Sequence, residues 1–171
     1  MSGFRRVITG HDTTGRSVVA SDELVAEGAL GNFNFFRLAA KDAPVDLASA
    51  TSDFPFFPGA GQTVFRIFQL PGADPNLPAG ALEEFSKVFF AGIGSPDAKV
   101  DTSRHPLMHR TPTTDFIVLL SGAVSLLLDE GEPIALKPFD AVVQRATNHA
   151  WVVTGSEPAV LMACMNGTGS A

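Results

Sequence analysis

The clearest alternation in the chain is TVFRIFQL, residues 63–70. Val64, Arg66, Phe68 and Leu70 fall on one face and Phe65, Ile67 and Gln69 on the other, the two-residue period of a β-strand. PGADPNLP ends it. The period then changes. In ALEEFSKVFFAG, 81–92, Leu82, Phe85 and Phe89 recur at helical spacing, and Glu83 stands four residues before Lys87 as a favourable pair. Gly92 and Gly94 close this helix, the one clear helix of the sequence. From 107 onward short apolar runs follow one another: FIVLL and AVSLLL around Ser121-Gly122, then PIALKP after the tight turn DEGE, then DAVVQ, HAWVV and AVLMACM. Upstream, NFNFFRL (32–38) reads as a strand. FRRVITGHDTTGRSVVA (4–20) reads as a hairpin whose turn, GHDTTG, carries His11 and Asp12 as solvated residues. The stretch 41–61 is too rich in Pro and Gly for a regular element. Its Phe54, Phe56 and Phe57 are placed to pack on the domain or to cover a barrel mouth or subunit interface. The GTGSA end reads as frayed. Many short strands with Gly, Pro and Asp turns predict an all-β sandwich or small barrel.

Composition narrows the chemistry. A length of 171 residues suits one domain with a sizeable core. Fourteen Phe, no Tyr and a single Trp predict a greasy pocket with few phenolic hydroxyls to orient a ligand. The formal net charge of −6, with no cluster of Lys and Arg to offset it, argues against nucleic acid as a partner. Cys164 stands alone, so no intrachain disulfide forms, which suits a reducing compartment. MSGFRRVITG has no apolar run behind its basic residues, and Phe116–Leu128 is too short to span a bilayer. The expectation is a cytoplasmic soluble protein without a membrane partner. There is no G-x-S-x-G, P-loop or dinucleotide fingerprint, and no organic cofactor is implied.

The candidate chemistry lies in HPLMHRTPTTDF and RATNHAW. With Pro112 at an edge or bulge, strand parity puts His109, Thr111, Thr113 and Asp115 on one face. His149 opens a later strand and shares its face with Trp151 and Val153. Two imidazoles and one carboxylate from different strands suit Fe, Mn, Ni or Zn, and two His with one carboxylate is the set used by non-haem Fe(II). The alternative is a hydrogen-bonded cluster acting as acid and base without metal. Gln144 and Trp151 are pocket candidates; the competing roles are backbone capping and core packing. Arg110 points away from His109 on parity, Arg145 lies in the turn before His149, and His105 precedes a proline in a loop. Cys164 sits in an apolar strand as inert packing.

These residues resemble the cupin family. Its first motif, G-x5-H-x-H-x3,4-E-x6-G, is similar here to Ser103, His109, Thr111, Asp115 and Gly122 at the right spacing. Its second, G-x5-P-x-G-x2-H-x3-N, is similar to Phe139 (one residue short), Gln144, Ala146, His149 and Val153. MHRTPTTDF, LLSGAVSLLLDEGE and VVQRATNHAW together look like one subfamily of small cupins. The resemblance implies a double-stranded β-helix (cupin or jelly-roll) barrel with an N-terminal β arm and one short helix. It implies a single domain over 1–171, with arm and loops at 1–62 and barrel at 63–166. It also implies a homodimer, a small-molecule substrate, and a divalent metal at His109, Asp115 and His149, with Thr111 replacing the fourth ligand. The function expected is metal-assisted lyase, isomerase or decarboxylase chemistry on a small apolar metabolite, with His109, Asp115 and His149 catalytic. The rivals are a metal-dependent dioxygenase and a non-catalytic ligand-binding cupin.

Overall fold

The computed structural model describes residues 4–28, 31–38 and 56–168. Phe54 and the 41–55 connection lie outside them. In chain order the elements are β1 (Phe4–His11), β2 (Ser17–Val25), β3 (Asn32–Leu38), β4 (Thr63–Leu70), α1 (Ala81–Gly92), β5 (Thr113–Ser121), β6 (Val124–Leu128), β7 (Ile134–Leu136), β8 (Ala141–Arg145), β9 (His149–Val153) and β10 (Ala159–Gly167). Among the described residues a five-stranded sheet runs β3-β4-β10-β5-β8, a three-stranded sheet runs β7-β6-β9, and β1-β2 is a separate hairpin. Among the described residues every ladder is antiparallel. This is the all-β barrel that the sequence predicts.

Parity sorts the side chains. Along β5, Thr113, Asp115, Ile117 and Leu119 are buried and Phe116 is exposed. Ile117 and Leu119 pack with Val124, Ala159, Leu161, Ala163 and Met165, and with Phe68, Leu70, Trp151 and Val153 around them. That cluster joins the inner faces of both sheets. Phe33, Phe35, Ile67 and Val160 lie on the opposite face of the larger sheet, where Phe4 and Val25 of the hairpin cover them. The Phe4 and Phe33 rings meet edge to face, centroids 4.8 Å apart. The arm thus shields the outer face of the sheet. Leu161, fully buried between the sheets, gives the sharpest check: Leu161→Ala should cost about 2–5 kcal/mol in urea unfolding. A loss under ~1 kcal/mol would mean that the sheets do not close on it.

Helix α1 forms where expected but turns a different stripe inward. Ser86 and Phe90 are buried, whereas Phe85 is 51% exposed. The Ser86 hydroxyl donates to the Pro106 carbonyl at 2.6 Å, which docks the helix against the segment leading to His109. Lys87 reaches Glu84, not Glu83, at 3.7 Å. Both side chains are largely solvated, so this pair adds little stability. Of the GTGSA end, Gly167 and Thr168 are tied down, the Gly167 amide donating to the Gln62 carbonyl and the Thr168 amide to the Pro112 carbonyl, and 169–171 lie outside the described residues.

Candidate functional site

The interior is divided along its axis. Leu119, Leu161, Val124 and Leu70 belong to its dry part. Elsewhere on the same inner faces stand Thr111, Thr113, Asp115, Gln144, Arg66 and His149, all buried. Pro112 is the reason that His109 sits outside a regular strand. β5 begins only at Thr113, because proline gives no N–H to a ladder. His109 is instead held by an isolated antiparallel bridge to His149, with N–H···O distances of 2.9 Å in both directions. The bridge brings the imidazoles together, ring centroids 4.4 Å apart.

Their protonation follows from their partners. His109 Nδ1 lies 2.9 Å from the Leu107 carbonyl, and His149 Nδ1 lies 3.0 Å from the Thr147 carbonyl. A carbonyl only accepts, so each Nδ1 carries the proton and each Nε2 keeps a lone pair. Burial pushes the His109 pKa below the ordinary histidine range. His149 is pushed down to about 3, first by burial and then by the neighbouring His109. Both rings are therefore neutral at pH 7. Phe57 stacks on His109 at 6.4 Å, Phe90 lies 5.2 Å from it, and Trp151 meets His149 edge-on at 5.6 Å.

Asp115 is placed differently. In the ladders it stands opposite Met165 on β10 and Gln144 on β8. Burial raises its pKa to about 6, against the lowering effects of the Thr113 hydroxyl and the Arg66 charge. Arg66 is itself 3% exposed and lowered to about 10 by burial, opposed by Asp115. Its guanidinium lies 5.1 Å above the Phe56 ring. Thr111 and Thr113 hydroxyls are 2.7 Å apart. A carboxylate only accepts, so Thr113 donates to Asp115 and accepts from Thr111. Thr111 therefore extends the hydroxyl row behind Asp115. Gln144 faces Asp115, and its amide donates to the Thr147 carbonyl at 3.0 Å and to the Thr147 hydroxyl. It lines the interior and also holds the turn that presents His149. Arg110 and Arg145 are exposed, as parity indicates for Arg110. Burial raises the Cys164 pKa, which keeps it a thiol.

A metal centre was expected on His109, Asp115 and His149. The two Nε2 lone pairs suit a divalent ion. Among the described residues, however, no three His, Cys, Asp or Glu side chains converge as a ligand set. The bridge holds the histidines to each other, while Asp115 takes a bond from Thr113, feels the Arg66 charge and keeps Oδ1 without a hydrogen-bond partner. Nearby, a cleft of about 390 Å³ is lined by Glu83, Lys87, Lys99, Arg104, His105 and Pro106 with Thr102 and Ser103. His105 lines this cleft, as a loop residue, and its Nδ1 accepts from the Leu107 amide at 3.2 Å.

From the sequence, Arg66 was no more than one position on a strand face and Phe90 was not singled out, whereas Phe57 was expected to pack on the domain or cover a barrel mouth or interface. Arg66 had a usable signal, a charge at inward parity in an apolar strand. Phe90 had none, because its contact with His109 is made across the fold.

Comparisons with known proteins follow this geometry. No family model matches the chain. "Phomopsin biosynthesis cluster protein D" of Diaporthe leptostromiformis is 35% identical over 151 residues, covering 85% of this chain and 68% of that protein. "Cupin-domain-containing oxidoreductase fogC" of Aspergillus ruber is 30% identical over 161 residues, covering 91% of this chain and 69% of that one. The chain belongs to the cupin-domain proteins. A double-stranded β-helix cupin from Methanocaldococcus jannaschii is 10% identical over 62% of this chain and 71% of its own, at a TM-score of 0.40.

The backbone of this cupin keeps the family motif where its side chains do not. Phe139 (φ 74°) and Ala146 (φ 50°) are left-handed, and they stand at two motif glycines. Gly122, the motif glycine that remains, has φ 90°, and a Cβ there would lie 2.7 Å from the Ala159 Cα. The turn shapes are kept and two positions carry the strain of a Cβ. Phe139 is 80% exposed, so it loses little packing when replaced. Phe139→Gly should therefore stabilise the protein by about 0.5–1 kcal/mol, read as a higher Tm; a lower Tm would contradict the strain.

Proposed function

We propose that this cupin is a small-molecule enzyme that moves a proton on a largely apolar organic metabolite, as a lyase or isomerase does. The observation that carries the reading is the His109–His149 pair. Two neutral imidazoles, one half-buried and one buried, face each other, each with Nδ1 fixed as a donor and Nε2 left as a base. His109 is assigned as the base because it is the more accessible ring, half-buried where His149 is 3% exposed. Protonation of either ring opposes protonation of the other, so the pair holds one proton at a time. In this mechanism His109 Nε2 takes a proton from a carbon next to a carbonyl, and His149 stays neutral beside it. Phe57, Phe90 and Trp151 exclude water from the pair and receive the apolar body of the substrate. The relatives named for biosynthesis clusters support a biosynthetic metabolite as substrate. A homodimer and a cytoplasmic location are part of the same proposal.

The test uses a carbon acid of this kind. Phenylacetone is incubated with the protein in D2O, and NMR follows exchange of its α protons. Exchange above the buffer rate that disappears in His109→Ala supports the reading; exchange equal to buffer for the wild type overturns it. The second reading is oxidoreductase chemistry, including a dioxygenase, favoured by the name of the Aspergillus ruber relative. Substrate-dependent O2 uptake without α-proton exchange would select it.

A further inference from the structure

Asp115 poses a separate question. Its side chain is 2% exposed, yet its Oδ1 has no hydrogen-bond partner. A buried carboxylate oxygen left open costs free energy that a ligand donor would recover. The other demands on this carboxylate are already met by the Thr113 hydroxyl and the Arg66 charge. The open oxygen belongs to the inner face, since Asp115 alternates with Thr113 and Ile117. A second buried acceptor, Asn34 Oδ1, also lacks a partner, opposite Arg66 in the β3–β4 ladder.

Charge decides what kind of donor fits. Among the described buried side chains the charged pair is Arg66 and Asp115, one of each sign. An anionic ligand would add an uncompensated buried charge and leave Oδ1 open. A cationic ligand would upset the same balance in the other direction. A neutral hydroxyl or N–H does neither. The body of such a ligand meets an aromatic shell: Phe56, Phe57, Phe89 and Phe90 touch ring to ring at centroid distances of 4.9–5.4 Å or through His109.

We propose that Asp115 is a substrate-binding residue, and that the barrel takes a neutral molecule whose hydroxyl or N–H group donates to Oδ1 while its apolar body lies among these phenylalanines. The inference rests on the small-molecule reading above and names the chemistry of its substrate. It also gives Asp115 a role that does not require it to join the histidines on a metal.

Trp151 is the chain's one tryptophan and there is no tyrosine, so its fluorescence reports this interior alone. Benzyl alcohol, benzyl methyl ether and benzoate are titrated against the wild type. The alcohol should bind at least about tenfold more tightly than the ether, the worth of one charge-assisted hydrogen bond, and more tightly than benzoate. Asp115→Asn should narrow the alcohol–ether gap. Equal binding of alcohol and ether overturns the proposal, as does tighter binding of benzoate. One equivalent of metal that is lost in Asp115→Asn would make Oδ1 a metal ligand and overturn it as well. If Asp115→Asn does not fold, the wild-type comparison decides alone. An alcohol preference without α-proton exchange of phenylacetone would sink the catalytic reading and leave this one standing.

Discussion

Alanine in place of His109 should lower the rate of α-proton exchange by about a hundredfold to ten-thousandfold, the usual worth of a general base. The loss follows from the local chemistry. His109 Nδ1 is held by the Leu107 carbonyl, so the ring cannot turn its lone pair elsewhere without giving up a 2.9 Å bond. No hydroxyl of Thr111 or Thr113 can replace it, since a hydroxyl at neutral pH is a far weaker base. His149→Ala should lose activity too, because the neutral ring beside His109 goes with it while the backbone bridge stays. The fold should persist in both variants. Neither ring lies in the inter-sheet cluster around Leu161, so far-UV circular dichroism should be unchanged. Wild-type exchange in either variant would remove the pair from the mechanism.

Acid should weaken the fold in a pattern set by opposing groups. The folded His149 pKa is about 3 against an ordinary 6.5. Between those values the unfolded chain binds the extra proton, so this histidine makes stability fall as pH falls below 6.5. The limiting slope is ~1.4 kcal/mol per pH unit. His109, shifted in the same direction, adds to it. Asp115 works the other way. Its folded pKa of about 6 lies above the ordinary 3.8, so between those values the native state binds the extra proton and stability rises as pH falls. Stability should thus begin to drop below pH 6.5, drop more slowly while Asp115 compensates, and steepen again below 3.8. Urea midpoints measured from pH 7 to 3.5 give the curve. His149→Gln should flatten it, and Asp115→Asn should steepen its middle part. A His149→Gln profile that matches the wild type from pH 7 to 4 would show that burial does not hold His149 neutral.

Much of this fold was legible because strand periodicity is local. The inward row Val64, Arg66, Phe68, Leu70 could be written down from TVFRIFQL alone, and β10 pairs with that strand through the whole of it. Helix α1 was legible in its ends and not in its inward stripe. Several of its apolar positions compete for the core, and the docking of Ser86 on Pro106 chose between them. Thr111, Thr113 and Asp115 share the inner face that parity gives them. The resemblance to cupins pointed to the same turns, and the left-handed backbone at Phe139 and Ala146 keeps the motif's shape although neither is glycine.

The sequence by itself determined the strands, the inward parity of the polar residues and the cupin barrel, because these depend on side-chain period and turn chemistry within a few residues. Only the tertiary structure decided which polar residues meet. His109 and His149 are forty residues apart in sequence and are joined by one backbone bridge, while Asp115 lies six residues from His109 and is drawn to Arg66 of a different strand. Sheet order and register set those distances, and strand alternation says which face a residue takes but not which strand stands next to it.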